Sequence, residues 1–116
     1  MSFNFEDFFD LADYIVASPR YQEAAIRRAT SSIYYAAYQL VADRYHFTAT
    51  RSGDIHGQLQ RHVSGKSKGQ LSRLLKQLCD LRVVADYNSP PRGMTSGDYD
   101  NAKDLFVDIR DTFLTP

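Results

Sequence analysis

The stretch from residue 20 to residue 47 contains no Gly or Pro and carries two stripes of side chains at helical spacing. One stripe is small and apolar, and the other lies about 150° away around the helix. The first consists of Ala25, Ala29, Ile33, Ala36, Ala37 and Leu40, and the second of Arg27, Ser31, Tyr34, Tyr38 and Tyr45. A helix with a single buried side carries Lys and Glu on the opposite face. The second stripe therefore predicts a helix at the centre of the fold or one that faces a partner.

The apolar positions elsewhere in the chain also repeat with a helical period, and the period-2 alternation of a strand is absent. Pro19 separates the first helix from the second, and residues 88–93 break the chain before the last one. The further predicted helices cover residues 5–17, 55–63 and 70–87, together with a segment that Thr95 or Ser96 caps and that runs to about Phe113. The pattern predicts an all-α, up-and-down bundle of four long helices and one short helix, with the second and fourth at its centre.

The chain of 116 residues fits a single domain over residues 1–116. Its single cysteine, Cys79, lies in an apolar helical pattern, which excludes an internal disulfide and indicates a thiol in the core. The chain has neither the signature of a secretory signal peptide nor an apolar run of the roughly 20 residues that a membrane span needs. We therefore expect a soluble, cytoplasmic protein.

Fourteen basic residues balance fourteen acidic ones, so the net charge favours neither nucleic acid nor membrane as a partner. The distribution is uneven, because residues 51–82 hold seven basic residues and only two acidic ones. Such a segment can collect phosphates, or it can form an ordinary solvated helix face and loop. The three histidines have no metal-ligand spacing, so we expect neither a metal nor a cofactor.

Arg82 falls in the middle of the apolar face of the fourth predicted helix, where a charge that cannot be neutralised needs partners. Asp86, four residues later, is the nearest candidate. Arg82, Asp86 and Tyr87 form either a cluster that faces a phosphate or an ion pair that fixes this helix against the second one. Similarly, the stripe of Arg27, Ser31, Tyr34 and Tyr38 predicts either a seam between helices or subunits, or a groove wall that stacks on bases.

Two stretches together resemble the HEPN superfamily, the helical domains named for higher eukaryotes and prokaryotes nucleotide-binding. The segment Arg27-Arg28-Ala29-Thr30-Ser31-Ser32-Ile33-Tyr34-Tyr35-Ala36-Ala37-Tyr38 is similar to the second-helix pattern of the family. Leu81-Arg82-Val83-Val84-Ala85-Asp86-Tyr87 is similar to a Leu-Arg-x-x-Ala-Asp-Tyr pattern that ends the fourth helix in one branch. His56-Gly57 lies where that branch often has His. The resemblance covers roughly residues 5 to 114.

The resemblance implies a small helical homodimer, often encoded beside a minimal nucleotidyltransferase as toxin and antitoxin, or attached to defence systems. Many members are metal-independent ribonucleases that use an Arg and, four to six residues later, a His near the end of helix four. In such a site the Arg stabilises charge on the phosphate and the His moves a proton in 2′-hydroxyl attack.

The chain departs from this signature, because the window for the His after Arg82 holds Tyr87, Asn88 and Ser89. The missing His favours a dimeric module that is non-catalytic or weakly catalytic and binds a partner protein, a nucleotide or RNA. The alternative is an endoribonuclease toxin that uses Arg82 with another proton carrier, such as His56 or His62. The candidate catalytic residues are Arg82, Asp86, Tyr87 and His56, and the candidate nucleotide, RNA or interface residues are Arg27, Arg28, Ser31, Tyr34, Tyr35 and Tyr38.

Overall fold

The computed structural model describes residues 5–17, 22–50, 54–65, 68–88 and 90–114. Within these ranges the chain forms five α-helices and a closing π-helical turn, without any strand. The helices are α1 (Phe5–Val16), α2 (Gln22–Arg44), α3 (Ile55–Gly65), α4 (Gly69–Tyr87) and α5 (Ser96–Ile109), and the π-helical turn covers Arg110–Leu114. The predicted all-α helical bundle is confirmed.

Helix α2 is buried on both of its faces, as its two stripes predict. Ala29, Ile33 and Ala37 of the apolar stripe are buried, and so are Ser31 and Tyr34 of the polar stripe. The helix contacts each of the other four helices and the π-helical turn, and its contact with α4 is the most extensive in the bundle. Because α2 touches neighbours on several sides, most of its buried residues are small or apolar, and the hydroxyl of Thr30 is buried without a hydrogen-bond partner among the described residues.

The helix boundaries are set by backbone conformation and capping hydrogen bonds rather than by the hydrophobic pattern. Helix α2 ends at Arg44, three residues earlier than predicted, because His46 adopts a left-handed backbone conformation with φ 54°. The Phe47 N–H then donates to the Ala42 carbonyl at 2.9 Å, which closes the helix end. The predicted start of this helix, at residue 19 or 20, lies outside the described residues.

The remaining helices match their predicted positions within one or two residues, except that α5 ends at Ile109, four residues before its predicted end near Phe113. Helix α3 continues through Gly65, beyond the predicted end at Val63, and α4 begins at Gly69 and ends at Tyr87. Thr95 precedes α5 as its N-cap, and its backbone N–H donates to Asp98 Oδ2 at 2.8 Å. This contact is half of a capping box, and it fixes where the last helix begins.

Candidate functional site

Arg82 lies on the buried face of α4, and only 5% of its surface is exposed. Its Nη1 atom donates to the hydroxyl oxygen of Tyr35 at 3.2 Å and lies 3.5 Å from Oδ2 of Asp86. The predicted pairing of Arg82 with Asp86 is therefore present in the structure, and Tyr35 of α2 is a second partner.

Three tyrosine rings surround the guanidinium of Arg82. The ring centroids of Tyr34, Tyr35 and Tyr87 lie 5.5, 5.6 and 5.4 Å from its central carbon, within the range of cation–π attraction. Tyr34 is buried, whereas Tyr35 is 44% and Tyr87 68% exposed, so two of the rings lie at the surface. The cation is thus held beneath an exposed aromatic patch.

One donor of this guanidinium has no acceptor in the part of the chain that the structure describes. The Nε atom of Arg82 is buried and makes no hydrogen bond among the described residues. Burial alone would lower the pKa of Arg82, but the Cys79 thiol and the hydroxyls of Tyr35 and Tyr87 outweigh burial and raise it. The side chain therefore stays charged while one of its N–H groups is unused, and such a group calls for a specific explanation.

The fold brings His56 into the same cluster. His56 lies in the first turn of α3, and its Nδ1 is 2.5 Å from the hydroxyl oxygen of Tyr34. The imidazole centroid lies 5.2 Å from the ring of Tyr34, 6.0 Å from Tyr35 and 5.8 Å from Tyr38. A histidine that is 26 residues away in the chain from Arg82 thus shares two of the rings that surround that guanidinium.

The surroundings of His56 favour its neutral form. Burial lowers the pKa of His56 below its usual value, the charge of Arg82 lowers it further, and the carboxylate of Asp54 opposes both. Burial also raises the pKa of Tyr34 far above its usual value, so that this hydroxyl keeps its proton. At neutral pH, His56 is an uncharged imidazole that can take up a proton.

Arg27 of α2 connects this helix to the end of α4 and to the loop that follows α4. Its guanidinium donates to both backbone and side-chain acceptors. Its guanidinium donates to the carbonyl oxygens of Val84 at 2.6 Å and Arg92 at 2.7 Å, and it forms an ion pair with Glu23 at 2.9 Å. It also reaches Oδ1 of Asn88 at 3.3 Å. Arg27 therefore fastens α2 to the C-terminal end of α4, which the spacing of the sequence does not reveal.

The other predicted interface residues lie on different sides of α2. Ser31 is buried, and the half-buried Tyr38 donates its hydroxyl to the carbonyl of Ile55 at 3.3 Å. Arg28 is exposed and, together with Arg27, lines a shallow surface groove whose other lining residues are Ala24, Ala85 and Asp86. The groove reaches the aromatic cluster through Asp86, the ion-pair partner of Arg82.

The remaining histidines lie outside the cluster. His62 lies 3.1 Å from the carbonyl of Tyr45 through Nε2 and packs on the ring of Phe47, and His46 is exposed at the end of α2. Across the ranges that the structure covers, no three of the His, Cys, Asp and Glu side chains converge as metal ligands would. The described basic residues of segment 51–82, other than Arg82, are Arg61, Lys68, Arg73 and Lys76, and all are exposed.

None of the family models, curated proteins or solved structures that were compared matches the chain. Among the helices of the described residues, none combines the length and the apolar character needed to cross a membrane.

Proposed function

We propose that the protein is a HEPN-like module that binds single-stranded RNA or a nucleotide at the aromatic cluster around Arg82. The observation that carries this proposal is the buried guanidinium of Arg82, which has an unused Nε–H and lies beneath the exposed rings of Tyr35 and Tyr87. An accessible ring next to a fixed positive charge suits a base and its phosphate, because bases stack on aromatic side chains and phosphates are attracted to Arg.

The arrangement of the rings also supports binding over a purely structural role. A cation buried only to join α4 to α2 needs no exposed aromatic surface, yet Tyr87 remains 68% exposed at the last position of α4. The exposed rings of Tyr35 and Tyr87 lie 5.6 and 5.4 Å from the same guanidinium carbon, and clustered exposed aromatic surface of this kind is typical of an interaction site.

Binding of labelled single-stranded RNA to Tyr87→Ala tests this proposal. Stacking on one aromatic ring contributes about 1–3 kcal/mol per base, so we expect the affinity to fall about fivefold or more. Tyr14→Ala is the matched control, because Tyr14 is 81% exposed but belongs to α1. Equal affinities for the wild type and Tyr87→Ala, or no RNA or nucleotide binding at all, would overturn the proposal.

A second candidate function is metal-independent RNA cleavage, and the position of His56 favours it. In this reaction a neutral His56 takes the proton of a 2′-hydroxyl, whose oxygen attacks the adjacent phosphorus. The bond from phosphorus to the 5′-oxygen breaks, and the leaving oxygen takes up a proton that the imidazolium can return. Arg82 would stabilise the negative charge that develops on the phosphate.

The cleavage candidate predicts products that carry a 2′,3′-cyclic phosphate and a 5′-hydroxyl, formed in the presence of a metal chelator. His56→Gln should abolish their formation, whereas His62→Gln should leave it unchanged, since His62 contacts Tyr45 and Phe47. If wild-type protein leaves RNA intact, or if His56→Gln cleaves as fast as wild type, the endoribonuclease candidate fails. If the protein then binds RNA without cleaving it, the result supports the non-catalytic binding module.

The expected partners belong to the same proposal. A homodimer would join two copies of the cluster, and a minimal nucleotidyltransferase would be the antitoxin of a toxin–antitoxin pair in the cytoplasm. Sedimentation at micromolar concentration tests the dimer, and a clean monomer would contradict it. Growth arrest on overexpression of the wild type, but not of Arg82→Ala, would support the toxin hypothesis.

A further inference from the structure

We infer that the groove beside Arg28 holds a backbone phosphate of a nucleic-acid strand whose base stacks on Tyr35 or Tyr87. The inference rests on the proposed function and extends it by assigning the path of the strand along α2. It names Arg28, which lies outside the Arg82 cluster, as the residue that contacts this phosphate.

Within the groove, Arg28 is the cation that is available to a ligand. Arg27 uses its donors on Glu23 and on the carbonyls of Val84 and Arg92. Arg28 is exposed and, over the parts of the chain that the structure covers, it forms no hydrogen bond or ion pair. A guanidinium without a partner at the edge of a groove can give both charge and paired donors to a phosphate.

Arg28 and the exposed ring of Tyr35 lie on one face of α2. They are seven residues apart, which is close to two full helical turns and about 10 Å along the axis. The half-buried Ser32 lies between them on this face. A strand that stacks one base on Tyr35 can therefore follow α2 towards its N-terminal end and reach Arg28.

Helix α4 forms the other side of the same path. Asp86 lines the groove, and Tyr87, the next residue, carries the second exposed ring. The carboxylate of Asp86 would repel a phosphate, but its Oδ2 lies 3.5 Å from Nη1 of Arg82, which offsets its charge. The phosphate is accordingly assigned to the Arg28 side of the groove, on the wall opposite Asp86.

The salt dependence of oligonucleotide binding tests the role of Arg28. Each phosphate contact contributes about 0.7 to the slope of log affinity against log salt for a single strand. For binding of an oligouridylate, the slope measured with Arg28→Gln should therefore be smaller in magnitude than the wild-type slope by about 0.7. The slope measured with Arg28→Lys should stay close to that of wild type. Arg73→Gln is the matched control, because Arg73 is an exposed arginine of α4 outside the groove, and its slope should equal that of wild type.

The outcomes separate this inference from the function on which it rests. If Tyr87→Ala weakens binding but Arg28→Gln keeps the wild-type slope, the path along α2 is wrong and the proposed function stands. If Arg28→Gln weakens binding of uridine monophosphate as much as that of the oligouridylate, the groove takes the nucleotide's own phosphate, and the assignment to a strand is overturned. If the wild type binds neither ligand, both proposals fail.

Discussion

Arg82 has a structural role in the bundle, and we propose a binding role for the same guanidinium. Its contacts with Tyr35 and Asp86 satisfy part of the guanidinium and join α4 to α2, which is a structural role. Its buried Nε–H has no acceptor among the described residues, and a residue retained only for stability would be expected to satisfy that donor. The unsatisfied donor is therefore one of the features on which the proposed binding role of Arg82 rests.

His56 should make the stability of the protein depend on pH in the mildly acidic range. Burial and the charge of Arg82 lower the pKa of His56 in the folded state, whereas in the unfolded chain the pKa is near 6.5. Below the unfolded pKa the unfolded chain therefore binds more protons, and the free energy of unfolding falls as the pH drops. Urea unfolding of wild type should show a lower midpoint at pH 5.5 than at pH 7.5.

Substituting His56 should remove most of this pH dependence. His56→Gln is expected to unfold at more similar urea concentrations at the two pH values. His46→Asn is the control, because His46 is exposed and Asn tolerates its left-handed backbone; it should keep the wild-type difference. An unchanged pH dependence in His56→Gln would show that other groups cause it.

At the scale of the elements, Arg27 connects three parts of the chain that the sequence separates widely. Its partners Val84 and Arg92 lie 57 and 65 residues further along. The Val84 carbonyl belongs to the last turn of α4, where it also accepts from the backbone N–H of Asn88 at 2.9 Å, so Arg27 is its second donor. Arg27 thus fixes the end of α4 and the following loop, and with them the position of Tyr87.

Removing the Arg27 side chain should destabilise the protein. Hydrogen bonds to charged groups contribute about 1.5–3 kcal/mol each, and partial exposure reduces this value, so Arg27→Ala should lower the free energy of unfolding by about 2 kcal/mol. Arg28→Ala, one position further along α2, removes an exposed side chain and should change it by no more than about 0.5 kcal/mol. Urea denaturation of the two variants gives the comparison, and equal values would contradict the role assigned to Arg27.

The sequence predicted helices and contacts between residues that are close in the chain, but it did not predict contacts between residues of different helices. Hydrophobic periodicity and breakers predicted the five helices, and the spacing from Arg82 to Asp86 predicted their pairing, because both depend on residues within a few turns of one another. The contacts of Arg27 with Val84 and of His56 with Tyr34 depend on how helices pack against each other. The π-helical turn of residues 110–114 was not predicted either, since the apolar positions there continue the pattern of α5.

At the scale of the whole molecule, Asp13 joins the first helix to the last. Its Oδ1 accepts from the hydroxyl of Tyr99 at 2.8 Å and from Nζ of Lys103 at 2.9 Å. Tyr99 is only 2% exposed, so its hydroxyl depends on this acceptor. Ala12 and Val16 of α1 are also buried, and the most extensive contact of α1 is with α2.

Asp13→Ala should therefore destabilise the attachment of α1 more than Asp13→Asn does. The alanine leaves the buried hydroxyl of Tyr99 without its acceptor, which costs about 1–3 kcal/mol, whereas the amide oxygen of asparagine can still accept. Amide hydrogen exchange along α1 should become faster in Asp13→Ala and stay close to wild type in Asp13→Asn. Exchange that is accelerated equally in both variants would mean that the charge, rather than the acceptor, holds α1, and wild-type rates in both would contradict the role assigned to Asp13.

Because Cys79 is buried near Arg82, the reactivity of its thiol can report on the packing around Arg82 in the unmodified protein. It is the single cysteine of the chain, 8% of its surface is exposed, and its thiol contributes to the electrostatic surroundings of both Arg82 and Tyr34. The rate at which a thiol reagent modifies the protein therefore measures how often the packing around Arg82 opens. A ligand that closes over the cluster would slow this reaction, so unlabelled protein can be screened against nucleotides by following one chemical rate.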